Sequence, residues 1–233
     1  MHKVAQVILS VLFALWLIGA SFMVVLLPPV THNLANATVN DAVSVYDHAT
    51  LVQYADEGRA YVLGDEEISV PIGADEHTSW SEDVVSHMLD VRAVLLGAEI
   101  VTLILTVVVI GWLLMLVRRG RAKELGSVFF VGGVIPLVLA LVLGLVGALN
   151  FRALFSALHK LLFVDGTWTF SYDSLLICTY PTQFWVGMGI VWVVALVFLS
   201  VFFLVLGFRL KRSKELLLRR AHLRRSPRHF SRG

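Results

Sequence analysis

FRALFSALHKLLFVDGTWTFSYDSLLICTYPTQFW, residues 151–185, lies between two long apolar runs and is the one stretch in which aromatic residues, a histidine, carboxylates and a proline mingle. From Phe151 to Phe163 the spacing is helical. Arg152, Ser156, His159 and Phe163 share one stripe, and Phe151, Phe155, Leu158 and Leu162 share the adjoining one. Such a helix is too short and too mixed to cross a bilayer. It is expected to lie at the membrane surface, with its aromatic stripe in lipid or among other helices and its polar stripe facing a cavity. Beyond it, Asp165-Gly166 predicts a turn, the alternation of Trp168, Phe170 and Tyr172 a short strand, and Tyr180-Pro181 the end of the segment.

Working outward, the flanks of this stretch decide the class of the chain. Hydrophobic residues make up 58% of the 233 positions, above the roughly 45–50% usual in soluble domains, and they are gathered into a few long runs. A crossing helix needs about 20 apolar residues, and residues 1–27, 91–117, 128–149 and 184–208 each supply them. The first run follows His2-Lys3 and is too long for a cleaved leader, so it is read as a retained span. The fold expected is an all-α membrane protein, a four-transmembrane-helix bundle. Net charge is only +2, but the signs are segregated. The loop 118–127, with Arg118, Arg119, Arg121 and Lys123, and the tail 209–233 are basic, which puts both in the cytoplasm together with both termini. Residues 28–90 and 150–183 then lie outside, in a multi-pass membrane protein. The balance of charge gives no reason to expect nucleic acid as a partner. The basic tail could also lie along an anionic inner leaflet, although topology alone accounts for it.

The outer loop 28–90 carries carboxylates from Asp41 to Asp90 against Arg59 alone. It is expected to form a small extracytoplasmic α+β cap. Asn40 to Glu57 reads as a helix stopped by Gly58, and Ala60–Leu63 with Glu67–Ile72 reads as a hairpin around Gly64-Asp65. Its acidity is first of all a solvated face. The pattern Ser79-x-x-Glu82 is that of a capping box, from which a helix should run unbroken into the second span.

On that helix His87 comes just before the hydrocarbon, with Asp83 one turn earlier and Asp90 three residues later. Either carboxylate is placed to orient the imidazole and support its protonated form. His159 approaches the same outer interface from the other loop. Two histidines from separate elements at matching depth form a candidate acid/base pair acting in the outer leaflet. Each also has a plain reading as an interfacial side chain with a satisfied hydrogen bond. A metal site is a rival use, but His87-x-x-Asp90 is not the zinc helix His-Glu-x-x-His, so no metal and no cofactor is expected. Arg152 is a candidate anion or oxyanion ligand, or simply a snorkelling cation. Glu99, within the second span, is either functional or a hydrogen-bonded or neutral structural group. Cys178 is the only cysteine, which excludes an internal disulfide; it is read as a small buried residue before a nucleophile. Trp168, Tyr172, Tyr180 and Trp185 are belt residues or the walls of a lipid pocket, and Asp165 and Asp173 are turn residues first and site candidates second.

His87-Met88-Leu89-Asp90-Val91 ahead of the second span, Phe151-x3-Phe155-x3-His159-x3-Phe163, Trp168-x-Phe170, Asp173-x-Leu175 and Tyr180-Pro181 ahead of the fourth together resemble the lipoprotein intramolecular transacylase family. The likeness covers nearly the whole chain up to the basic tail. It implies an acyltransferase that moves an acyl chain from the S-diacylglyceryl group of a lipoprotein's N-terminal cysteine to that cysteine's own α-amino group, giving the lyso form. Its partners would be diacylglyceryl-modified lipoproteins and membrane lipid. His87 and His159 occupy the positions of the family's two functional histidines, with Asp90, Arg152, Asp173 and Tyr180 as possible supporting residues. Two readings from other classes stand beside it, a metal-dependent membrane hydrolase and a non-enzymatic scaffold or small transport subunit; the missing inverted repeat weighs against transport.

Overall fold

The computed structural model describes residues 3–64, 68–164 and 166–225, the side chains from 213 onward excepted. These residues form seven helices: α1 (Lys3–Val25), α2 (Pro28–Thr38), α3 (His48–Val62), α4 (Glu82–Arg118), α5 (Ala122–Leu162), α6 (Leu175–Thr179) and α7 (Thr182–Arg225). Four of them, α1, α4, α5 and α7, are long and apolar enough to cross a membrane. Many of their large side chains face outward, Leu103, Val107, Leu141 and Phe198 among them. In water so continuous an apolar surface would drive association; against lipid chains it is the matching solvent.

One compact unit comprises residues 3–17, 104–138 and 197 onward. Phe13, fully buried, is its centre, with ring centroids 5.5 Å from Trp16, 5.2 Å from Phe129 and 5.0 Å from Phe203. Glycines let the backbones close around it. A Cβ added at Gly132 would come within 2.9 Å of the Ser10 carbonyl oxygen, one at Gly133 within 2.9 Å of that of Ser200, and one at Gly126 within 2.8 Å of that of Gly207. Small residues are the means by which helices approach one another where water supplies no driving force. The indole N–H of Trp16 donates to the Thr106 hydroxyl at 2.9 Å, so its polar atom is satisfied inside this apolar unit.

The second unit comprises residues 18–103 and 139–196, without the undescribed positions 65–67 and 165. Its core gathers Ala35 from α2, Leu51 and Ala55 from α3, Val84 and Met88 from α4, Leu175 and Cys178 from α6, and Trp80, Tyr180 and Phe184 around them. The side chain of Asp47 accepts from the Thr50 N–H at 2.8 Å and starts α3; that of Ser174 accepts from the Ile177 N–H at 3.4 Å and starts α6. Inside α5, Asn150 leaves the helical region (φ −157°, ψ 81°), and its side-chain oxygen accepts from the Ala153 N–H at 3.0 Å. Residues 151–162 therefore form a second helical segment with their own cap, beginning where the apolar run ends.

Several expectations for the loops are corrected. Pro28-Pro29 does not merely end the first span but opens α2, because proline at the first helical positions has no amide hydrogen to leave unpaired. Gly58 does not stop α3, which begins at His48 rather than Asn40 and continues to Val62. That absorbs part of the expected hairpin, whose turn at Asp65 and whose Glu67 lie outside the described residues. No strand occurs among the described residues; one isolated bridge pairs Ile72 with Trp80. Trp168, Phe170 and Tyr172 lie in irregular backbone, and Asp165 lies outside the described residues. The helix through His87 does run unbroken into the second span, but Ser81, not Ser79, meets its first turn, accepting from the Val84 N–H at 3.4 Å, while the Ser79 hydroxyl donates to Asp75.

Gly58 has a packing role instead of a terminating one. The Tyr180 hydroxyl donates to the Ala55 carbonyl at 2.8 Å, and a Cβ at Gly58 would strike that hydroxyl and come within 3.1 Å of the Trp80 ring. Gly58→Ala is therefore expected to destabilise the protein by about 1–3 kcal/mol. Tyr180→Phe, which loses one hydrogen bond, should cost about 1 kcal/mol. Combined, the two should cost less than their sum, because the phenylalanine vacates the space the methyl needs. Thermal unfolding of the four proteins in detergent checks this, and strict additivity would contradict the contact.

Candidate active site

The site grows from two helical stretches. In α4, Val84, His87 and Met88 fall on the buried side of the first turns, and His87 is only 7% exposed. In segment 151–162, Phe155 and His159 stand one turn apart with ring centroids 3.9 Å from each other, and Phe163 follows one turn on. The rings of His87 and His159 face one another 6.2 Å apart at 29°. Aromatic rings enclose the pair. Phe163 lies 5.0 Å and Phe170 5.6 Å from His87, Trp168 lies 5.1 Å from His159, and Trp185 lies 5.8 Å from Phe155.

The tautomer of His159 follows from its contact. Its Nδ1 is 2.9 Å from the Phe155 carbonyl oxygen, which can only accept, so Nδ1 carries the hydrogen and the neutral ring leaves a lone pair on Nε2. Nδ1 of His87 is buried and has no hydrogen-bond partner among the described residues. The arrangement thus offers one imidazole held as a proton acceptor and a second with an uncommitted nitrogen, inside a largely apolar enclosure where polar interactions are strengthened.

The loop bearing Trp168 and Phe170 is tied to the turn at 75–79. The Leu175 N–H donates to the Glu76 carbonyl at 2.7 Å, and the Ser171 hydroxyl donates to the Glu76 carboxylate at 2.6 Å. Nδ1 of His77 stands 3.3 Å from the Asp173 carbonyl and 3.6 Å from its carboxylate. Trp185 donates to the Tyr180 carbonyl at 3.1 Å. Sequence reasoning did not find Glu76, His77 or Ser171, because hydrogen bonds across about a hundred residues leave no local pattern.

Of the residues singled out from the sequence, the fold brings His87 and His159 together and leaves others apart. Asp90 is exposed and makes no hydrogen bond to His87, though its carboxylate is near enough for its charge to favour the protonated imidazole, and Asp83 is likewise exposed. Arg152 is exposed, and Glu99 is half-buried. Asp173 serves the loop tie with His77. The Tyr180 hydroxyl is committed to Ala55, and burial pushes its pKa up, so it stays a protonated strut. Cys178 is fully buried and its thiol is likewise pushed up by burial, the opposite of an activated nucleophile. Among the described residues, no three His, Cys, Asp or Glu side chains converge as metal ligands would.

A family model described as "Lipoprotein intramolecular transacylase Lit" matches residues 6–185. The chain belongs to the Lit family. Its fold is similar to that of the membrane-integral lipoprotein intramolecular transacylase Lit from Bacillus cereus, determined in meso, with a TM-score of 0.76 at 15% identity over 92% of this chain and 97% of that one. Two variants of the same Bacillus cereus Lit, in which one histidine is replaced by arginine or by alanine, align with a TM-score of 0.67 at 17% identity, covering 92% of this chain and 93% and 95% of theirs. A search of curated proteins finds no match. At such identities the shared feature is the fold.

The tie at His77 is pH-sensitive. The hydrogen bond to the Asp173 carbonyl, reinforced by the neighbouring Asp173, Asp75 and Glu76 carboxylates, raises its pKa above the ordinary 6.5. A raised folded-state pKa means that the stabilisation is fully present below pH 6.5 and is lost as pH rises through the folded value. Hydrogen exchange of the amides at 171–175 is expected to accelerate over that rise beyond its intrinsic pH dependence, and His77→Ala should remove the extra acceleration. Identical profiles in the two proteins would contradict the tie.

Proposed function

We propose that this chain transfers an acyl group within one lipoprotein molecule, from the S-diacylglyceryl group of the N-terminal cysteine to its α-amino group, and so forms lyso-form lipoprotein in the bacterial cell membrane. The observation that carries this reading is the pair of facing imidazoles of His87 and His159 inside a box of aromatic rings; family membership supplies the reaction class. An α-amino group has a pKa near 8, so at neutral pH most of it is protonated and cannot attack an ester. A base must take that proton. His159 suits the task, because its Nδ1 hydrogen is held by Phe155 and its Nε2 lone pair is free. Of the two protons the ammonium nitrogen loses on its way to an amide, one passes from His159, directly or by way of His87, to the departing glyceryl oxygen, and the other leaves to solvent.

Attack on the middle ester closes a ring of about eight atoms, a fold that the free lipid seldom adopts. Phe155, Phe163, Phe170 and Trp168 supply apolar walls against which the acyl chains can be held in that fold. The basic turn after Arg118 supports an outer-leaflet site with both termini in the cytoplasm. α4 carries His87 near its first turn and Arg118 at its last, with an apolar run between them long enough to cross the roughly 30 Å of a hydrocarbon core, which supports His87 at the outer surface when Arg118 is cytoplasmic. The described residues of the loop 28–90 are then the extracytoplasmic cap, and segment 151–162 is the interfacial helix.

Mass spectrometry of a lipoprotein's N-terminal peptide, with and without this protein expressed, tests the reading. The acylated amine should appear only when the protein is present. His87→Ala and His159→Ala should each lower the rate about 100-fold or more. The double variant should be little worse than the slower single one, since groups that act as a unit are not additive. Full activity in either single variant, or no acylated amine with the unaltered protein, would refute the proposal.

A further inference from the structure

A tetrahedral intermediate needs a hydrogen-bond donor for its oxyanion, and the polar groups near the histidines are mostly committed elsewhere. The Tyr180 hydroxyl donates to Ala55, the Nδ1 hydrogen of His159 donates to Phe155, and Arg152 is exposed. The indole nitrogen of Trp168 differs. It is buried, it has no partner among the described residues, and its ring lies 5.1 Å from that of His159 at 46°. By contrast the indoles of Trp16, Trp185 and Trp192 all donate to protein acceptors. Trp80 is also unpartnered, but its ring packs in the core against Tyr61 and Gly58 rather than beside a histidine. A buried donor without an acceptor is destabilising in the resting protein, and one held beside the reacting groups finds its acceptor in the substrate.

We propose that the indole N–H of Trp168 donates a hydrogen bond to the carbonyl oxygen of the ester under attack and holds it as negative charge develops. The inference rests on the acyl-transfer reading above. In the step itself the amine nitrogen bonds to the carbonyl carbon and the carbonyl electron pair moves to oxygen. Collapse re-forms the carbonyl and breaks the bond to the glyceryl oxygen, which receives the amine's proton by way of the histidines. Trp168 keeps its own proton throughout, so its contribution is electrostatic. It is delivered by a loop whose position depends on the Glu76 and Ser171 contacts.

The test replaces Trp168 with 3-benzothienylalanine, which keeps the two-ring shape but has sulfur where the N–H stood, and compares it with Trp168→Phe and with 5-fluorotryptophan, whose N–H is the better donor. Loss of one oxyanion donor lowers turnover about 100- to 1000-fold, and KM for the lipoprotein should hardly change because the bond matters in the transition state. The benzothienyl variant should show that loss with an unaltered melting temperature, and the fluorinated indole should match or exceed the native turnover. A benzothienyl variant with native turnover, or one in which only KM rises, overturns the assignment. Native protein that forms no acylated amine overturns both this and the acyl-transfer reading, so the two failures are told apart.

Discussion

Two imidazoles from distant parts of the sequence, His87 and His159, can face each other across 6.2 Å only if two helices end their apolar runs at the same place. Everything around the site serves that constraint. α4 carries His87 on its first buried turns without a break before the apolar run, and α5 breaks at Asn150 so that the next twelve residues leave its course and bring His159 in. The break is self-contained, since the asparagine that departs from helical geometry also caps the segment it releases. Around the pair, Phe155, Phe163, Phe170 and Trp168 replace water with polarisable rings, which would keep competing hydrolysis away from an ester under attack by an amine.

The apolar spans were legible because a bilayer demands about 20 consecutive apolar residues, and no other constraint writes so long a pattern. The helical segment 151–162 was legible from its two stripes, and the two histidines from their position at the ends of apolar runs. What the sequence concealed has physical causes. Pro28-Pro29 both ends one helix and begins the next, where proline fits the first positions and Thr31 and Ala35 are buried. Gly58 resembles a terminator, but its missing side chain makes room for Trp80 and for Tyr180, the latter more than a hundred residues away. Of two serines near the start of α4, the spacing favoured Ser79, whereas Asp75 claims its hydroxyl and leaves Ser81 to the helix.

The same contrast governs the site. A carboxylate near a histidine in sequence suggested that Asp90 orients His87; on the helix its side chain is exposed and makes no such bond, and it acts on the imidazole only through its charge. The group that does fix an imidazole is the carbonyl of Phe155, one turn before His159, a contact that any helix offers and that no residue pattern marks. Tyr180, a candidate from the sequence, has its hydroxyl bonded to the Ala55 carbonyl of α3, and Glu76 and Asp173 make contacts with Ser171 and His77 that tie down the loop bearing Trp168 and Phe170.

The central claim is that one enclosed histidine pair serves an amine and an ester belonging to the same molecule. It is tested most directly by mixing lipoprotein bearing isotope-labelled acyl chains with unlabelled lipoprotein and unlabelled phospholipid, adding the protein, and weighing the new amides by mass spectrometry. The account predicts that every amide carries the label state of its own glyceryl group. Amides whose chains have scrambled between molecules would contradict it.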